Sequence, residues 1–154
     1  MSKYILSKRS LTALEGVDPR LVDVVKRAIQ ITKQDFLVTE GLRTRERMME
    51  IYGQGRTVAQ LAVKGIPAKY AKPKASKVTW LNDPYNSLHG RGRAVDLAPY
   101  PVDYNTLSKF DKIADAMFAS AKELGVKIRW GADWDGDGKI REAGEYDATH
   151  FELV

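Results

Sequence analysis

The chain has 154 residues, enough for one domain with a core that needs no staples. Its composition, 44% hydrophobic and 29% charged, is that of an ordinary globular protein, and no apolar run approaches a membrane span. The absence of cysteine excludes disulfides and thiolate metal sites, and the net charge of +5 favours anionic partners without naming one.

Lysines and arginines are scattered through residues 3–76 rather than clustered. The charge therefore fits attraction to an anionic cell envelope and a generally basic protein equally well. The stretch Met1–Arg9 has no apolar segment with a small-residue cleavage site, so the sequence predicts synthesis in the cytosol with release left to another agent.

Tyr4, Ile5 and Leu6 ahead of Ser7 fit either a docking segment or a helix start. Asp18-Pro19 reads as an N-cap with proline at the first helical position. Leu21, Val24, Val25, Ala28 and Ile29 then recur at helical spacing and form one apolar stripe. Phe36–Thr39 reads as a short strand, after which Thr44 can cap a helix carrying Met48, Ile51 and Tyr52. Thr57 and Gln60 form a capping box for a helix through Leu61 and Val63.

Residues 64–86 turn irregular, with three prolines and five lysines, and only Lys77–Trp80 has strand character. Trp80 and Tyr85 in this excursion can line a groove or simply anchor the loop. Arg93–Ala98 alternates, so Ala94, Asp96 and Ala98 share one face of a strand and Val95 and Leu97 the other. The clearest helix runs through Leu107, Phe110, Ile113, Ala114, Met117, Ala121 and Leu124, closed by Gly125. Val126–Trp130 and Phe151–Val154 complete the strands.

The chemistry gathers in Ser87–Asp96 and Asp147–Glu152, which together contain both histidines. His89 has Asp96 seven residues on, and His150 has Asp147 three residues back. Two imidazoles and a carboxylate can hold zinc and leave a position for water, and a further carboxylate beside that water can act as its base. A lone histidine near an aspartate is as readily a buried structural pair; two such motifs in one chain favour a metal centre. Asp147 and His150 are an odd step apart, so sharing one face requires a bend between them. Glu152 shares the face of His150 on a strand and can orient its imidazole.

Asp133-Trp-Asp135-Gly-Asp137-Gly-Lys139-Ile140 has the opening of an EF-hand calcium loop, with oxygen ligands at Asp133, Asp135 and Asp137 and the backbone carbonyl of Lys139. Gly144 stands where the closing glutamate belongs, and Glu145 follows one residue late. Three aspartates at alternate positions repel one another without a cation, which favours calcium over a solvated turn.

The pattern Ser87-x-His89-x-x-Gly92-x-Ala94-x-Asp96 followed by Asp147-x-x-His150 resembles the zinc DD- and LD-peptidases of the VanY and D-Ala-D-Ala dipeptidase type. Within that group it is most similar to the bacteriophage endolysins that cut the L-alanyl-D-glutamate bond of peptidoglycan. The likeness also runs through Ser7–Leu11, Leu14–Pro19, Val38–Thr44, Ile128–Trp134 and His150–Leu153.

The resemblance implies an α+β fold in which a small antiparallel sheet carries the zinc site and packs against helices, as in Hedgehog-like DD-peptidases. It implies one peptidase domain over residues 1–154, with a calcium-loop-like insertion at about 133–145. Zinc would be held by His89, Asp96 and His150, with Asp147 as general base and Ser87 in contact with substrate. Arg43 would assist the oxyanion or pair with a substrate carboxylate. The implied activity is zinc-dependent hydrolysis of the peptidoglycan stem peptide for host lysis, in the periplasm after holin-type release. Independently of the resemblance, the place of the acidic loop directly ahead of Asp147 and His150 predicts that calcium orders those two residues. The partner is then the stem peptide, met by a monomer without stable membrane insertion. No nucleic-acid motif is visible. Two other readings stay open: a D-Ala-D-Ala carboxypeptidase or dipeptidase with the same metal chemistry, and a non-enzymatic, metal-stabilised wall-binding module with no use for Asp147 and Arg43.

Overall fold

Four of the described α-helices start where a short polar side chain satisfies an otherwise unpaired amide. In the computed structural model, which describes residues 4–85 and 88–154, the Ser7 hydroxyl accepts from Ser10 N and opens α1 (Lys8–Ala13). The Asp18 carboxylate accepts from Arg20 N and opens α2 (Pro19–Ile31), with Pro19 at the first helical position, where a missing N–H costs nothing. The chain forms two compact units, Met1–Leu42 with Gly92–Val154, and Arg43–Arg91.

The first unit contains α1, α2, β1 (Phe36–Glu40), β2 (Ala94–Pro99), α5 (Leu107–Leu124), β3 (Ile128–Gly131) and β4 (Asp147–Leu153). The stripe of α2 is buried at Leu21, Val24, Val25, Ala28 and Ile29, and faces the stripe of α5 at Phe110, Ile113, Ala114, Met117 and Ala121. Gly125 ends α5 in the left-handed conformation, as its missing Cβ permits. Where the two helices pack, the buried Ser120 hydroxyl donates to Val24 O at 2.7 Å and so leaves no polar group stranded. Ser10 is also buried, and its hydroxyl accepts from Val38 N at 3.0 Å, which ties α1 to β1.

The four strands form one antiparallel sheet in the order β1-β2-β4-β3. Alternation on β2 sends Val95 and Leu97 into the core with α2 and α5 and turns Ala94, Asp96 and Ala98 to the opposite face. Across β4 the same logic buries Phe151 and Leu153 in that core, where the Phe151 ring stacks on Trp130 with centroids 6.1 Å apart. Strand β4 begins at Asp147, four residues ahead of the expected Phe151.

The second unit carries α3 (Arg45–Gly53), α4 (Val58–Ala62) and a 3-10 turn at Ala68–Tyr70. Thr44 caps α3 through Arg47 N, and the Thr57–Gln60 capping box is formed in full. Tyr52, Leu61 and Ile66 make a small core of its own. The strand expected at Lys77–Trp80 is absent among the described residues. That segment is held instead by Arg56, whose buried guanidinium donates to Tyr52 O and Thr79 O at 2.8 Å each and lies over the Tyr52 ring.

Candidate metal centre

Asp96 and His150 are directly opposed residues of β2 and β4, and their side chains project from the face turned away from the core. Asp96 Oδ1 lies 3.5 Å from His150 Nδ1. Two ligands of one tetrahedral zinc, each about 2.0–2.1 Å from the ion, stand roughly 3.3–3.4 Å apart, so this pair is spaced as two ligands of one ion. The other ring nitrogen, Nε2, meets Glu152 Oε1 at 2.8 Å. With the proton on Nε2 shared with Glu152, Nδ1 keeps its lone pair for a metal. Glu152 is itself buried, pairs across the sheet with Arg129, and has that guanidinium 3.8 Å from its second oxygen. Burial of the His150 ring opposes its charging, but the hydrogen bonds to Asp96 and Glu152 outweigh it, so the pKa lies above the ordinary histidine value.

The bend that the odd spacing of Asp147 and His150 requires is present. On the β3 side, Trp130 pairs with Phe151 while the next residue, Gly131, pairs with Asp147, so the register jumps over residues 148–150. The Trp130 indole donates to Ala148 O at 2.8 Å inside that jump. Gly131 is what lets the two backbones approach: a Cβ there would sit 2.1 Å from Asp147 O and 2.8 Å from Asp147 Cβ. The Asp147 side chain is exposed, accepts from the Thr149 hydroxyl at 3.1 Å, and is near enough to help raise the His150 pKa. Trp134, given no role from sequence, packs its ring against His150 at 5.2 Å between centroids and a 48° tilt. Its place between two aspartates, at the end of the Ile128–Trp134 stretch that carries the family likeness, was the signal that pointed to it.

His89 and Arg43 belong to the second unit. There Arg43 N donates to His89 O at 3.0 Å, which joins the strand-exit arginine to the histidine loop, and the His89 side chain is buried. Ser87 lies outside the described residues.

In the acidic loop, Asp133, Asp135 and Glu145 bring carboxylate oxygens within 4.8 Å of one another; Asp135, Asp137 and Glu142 form a second such group. Glu145 is buried, and its Oε2 accepts from Asp135 N at 3.2 Å. Asp133 Oδ2 accepts from Gly138 N at 3.1 Å, whereas Asp133 Oδ1 and Glu145 Oε1 are buried with no hydrogen-bond partner. Desolvation raises the Asp133 pKa, and the hydrogen bond with Asp137, reinforced by burial, raises Glu142 to about 7. The Lys139 amide donates to Asp137 Oδ1, and Asp137 falls in the exposed group with Asp135 and Glu142.

A family model described as phage L-alanyl-D-glutamate peptidase matches residues 1–66 and 62–154. The L-alanyl-D-glutamate peptidase of Escherichia phage T5 is 33% identical over 157 residues, with 98% of each chain covered. The chain belongs to the phage L-alanyl-D-glutamate peptidase family. Among solved structures, this family member is similar to the L-Ala D-Glu endopeptidase ChiX of Serratia marcescens at 27% identity and a TM-score of 0.65, covering 99% of this chain and 92% of ChiX. The fold is also that of the D,D-pentapeptidase VanY of a VanB-type resistance cassette, solved with Zn(II), at 21% identity and a TM-score of 0.51, covering 90% of this chain and 72% of VanY. The α+β architecture with its small antiparallel sheet is therefore shared with both.

Proposed function

We propose that this family member is a zinc-dependent peptidoglycan endopeptidase that hydrolyses the L-alanyl-D-glutamate bond of the stem peptide, with His89, Asp96 and His150 as the metal ligands. The observation that carries the reading is the Asp96–His150 pair, spaced for one ion, with Glu152 fixing the imidazole from behind. A zinc ion held there supplies a Lewis acid that polarises the scissile carbonyl and lowers the pKa of water. Asp147 takes the proton from the attacking water and returns it to the leaving amine. Arg43 neutralises charge on the carbonyl oxygen or pairs with a stem-peptide carboxylate, which a guanidinium can do bidentately. Ser87 contacts the substrate. The enzyme acts as a monomer, without nucleic acid, on the periplasmic wall after holin-type release. No described helix is long and apolar enough to cross a membrane.

The acidic loop is assigned to calcium, with Asp133, Asp135 and Glu145 as side-chain ligands. Two buried carboxylate oxygens without partners support this, since a bound cation would offset their desolvation. Calcium would order the segment that leads into Asp147 and His150. Calcium added to the zinc-loaded protein should raise its Tm, and Glu145→Gln should abolish that rise. An unchanged Tm in the parent protein would remove the assignment.

Digestion of purified peptidoglycan followed by mass analysis tests the activity. New N-terminal D-glutamate is expected. Released D-Ala or free D-Ala-D-Ala would transfer the reading to a carboxypeptidase or dipeptidase, and an unaltered wall would leave a binding module.

A further inference from the structure

The basic charge divides unevenly between the two units. Arg43–Arg91 contains ten basic and three acidic residues, a net of +7, against +5 for the whole chain, so the remaining residues sum to −2. Between Glu50 and Asp83 there is no acidic residue, while Arg56, Lys64, Lys69, Lys72, Lys74 and Lys77 all fall there. What looked scattered along the sequence is therefore concentrated in one unit.

The most basic part of that unit is held in place. Lys72 pairs with Gln54, its amide donates to Gly53 O, and its carbonyl accepts from Gly55 N. The Lys77 backbone packs so closely on Gly55 that a Cβ there would lie 2.7 Å from Lys77 N. Arg56 spends a buried guanidinium on Thr79 O. On this fixed base Lys69, Lys72, Lys74 and Lys77 are all exposed, and so are Val78 and Trp80, the tryptophan at 76%. An indole displayed in this way forgoes burial, and four lysines within nine residues repel one another, with Glu50, itself paired with Arg47, beside Lys69 and Lys72.

We propose that this surface is a peripheral docking site for a bilayer rich in anionic phospholipid headgroups. The lysines supply the charge complementarity. The apolar groups decide between anions: a soluble polyanion needs only the cations, whereas Val78 and Trp80 are side chains that enter the boundary between headgroups and acyl chains. The contact lies at the membrane surface and involves no spanning segment. The inference does not rest on the peptidase reading, since it uses no residue assigned to metal or substrate.

The test is partitioning of the full chain onto vesicles of phosphatidylcholine and phosphatidylglycerol at 3:1, compared with phosphatidylcholine alone, in low salt. Binding to the anionic vesicles alone is expected, with a blue shift of tryptophan emission. The shift should vanish in Trp80→Phe, because Trp130 is already buried and Trp134 partly so. Replacing Lys69, Lys72, Lys74 and Lys77 together by Gln should weaken binding by about fivefold per lysine, on the order of several hundredfold in all. These side chains are exposed, so an unchanged circular dichroism spectrum is expected of each variant. Equal binding to neutral vesicles, no binding to either, or undiminished binding by the lysine variant would overturn the proposal. So would retention on purified, lipid-free peptidoglycan that the same lysine variant abolishes, which would give the surface to the wall polymer.

Discussion

Gly131→Ala tests whether Asp147 is placed by the backbone of its neighbour strand. The added Cβ would stand 2.1 Å from Asp147 O, and real Cβ contacts essentially never fall below 3.0 Å. The two backbones must therefore separate by about 1 Å, because the obstructing atom is a carbonyl oxygen and not a side chain that can swing away. Overpacking of this kind costs about 1–3 kcal/mol. At about 2–4 °C per kcal/mol for a chain of this size, Tm should fall by roughly 2–12 °C. With Asp147 as the proposed base, a displacement of about 1 Å costs on the order of 100-fold in rate, so kcat/KM on the proposed stem-peptide substrate should drop by that factor, measured well below the lowered Tm. Zinc content, read by elemental analysis, should stay at the parent level, since Asp96 and His150 meet on the other side of β4 through the β2 register. The variant Asp147→Asn and the double variant should be equally inactive, because the glycine acts only through the carboxylate. Activity within threefold of the parent, or a double variant much worse than Asp147→Asn, would refute the reasoning.

Glu152→Gln keeps the shape but weakens the hydrogen bond that fixes the His150 ring, and should lower zinc affinity by about 10–100-fold in a chelator competition. Ser10→Ala strands the buried Val38 amide and should cost about 1–3 kcal/mol in denaturant unfolding, with the metal-loaded activity unchanged at low temperature. Asp18 is held at a pKa of about 2 by hydrogen bonds from the Arg20 side chain and amide. A carboxylate depressed in the folded state stabilises fully above its unfolded value and loses that contribution as pH falls. The Tm deficit of Asp18→Ala should therefore be constant above about pH 5 and shrink between about pH 4 and pH 2. A deficit independent of pH would assign the effect to something other than the charge.

The helices were legible because their signals are local: a cap, a proline at the first turn and an apolar stripe define α2, and the stripe with Gly125 defines α5. The candidate metal motifs stand out as residue types at short spacing, and two of their members, Asp96 and His150, are opposed across the sheet. The expected strand at Lys77–Trp80 failed because a strand needs a partner, and here the backbone acceptor at Thr79 is taken by the Arg56 side chain. The length of β4 was misjudged for the same reason, since its first residues are strand only through their neighbours.

The sequence by itself determined which side chains are available for chemistry: two histidines, their companion carboxylates, no thiol, and an acidic loop next to one of them. Tertiary structure alone decided how they stand. Opposing Asp96 to His150 is a matter of strand register, and bringing Asp147 round to that strand end depends on a register jump that a glycine on another strand permits. Register and close backbone approach are set by pairing between distant segments, so neither leaves a pattern in the residues that surround it.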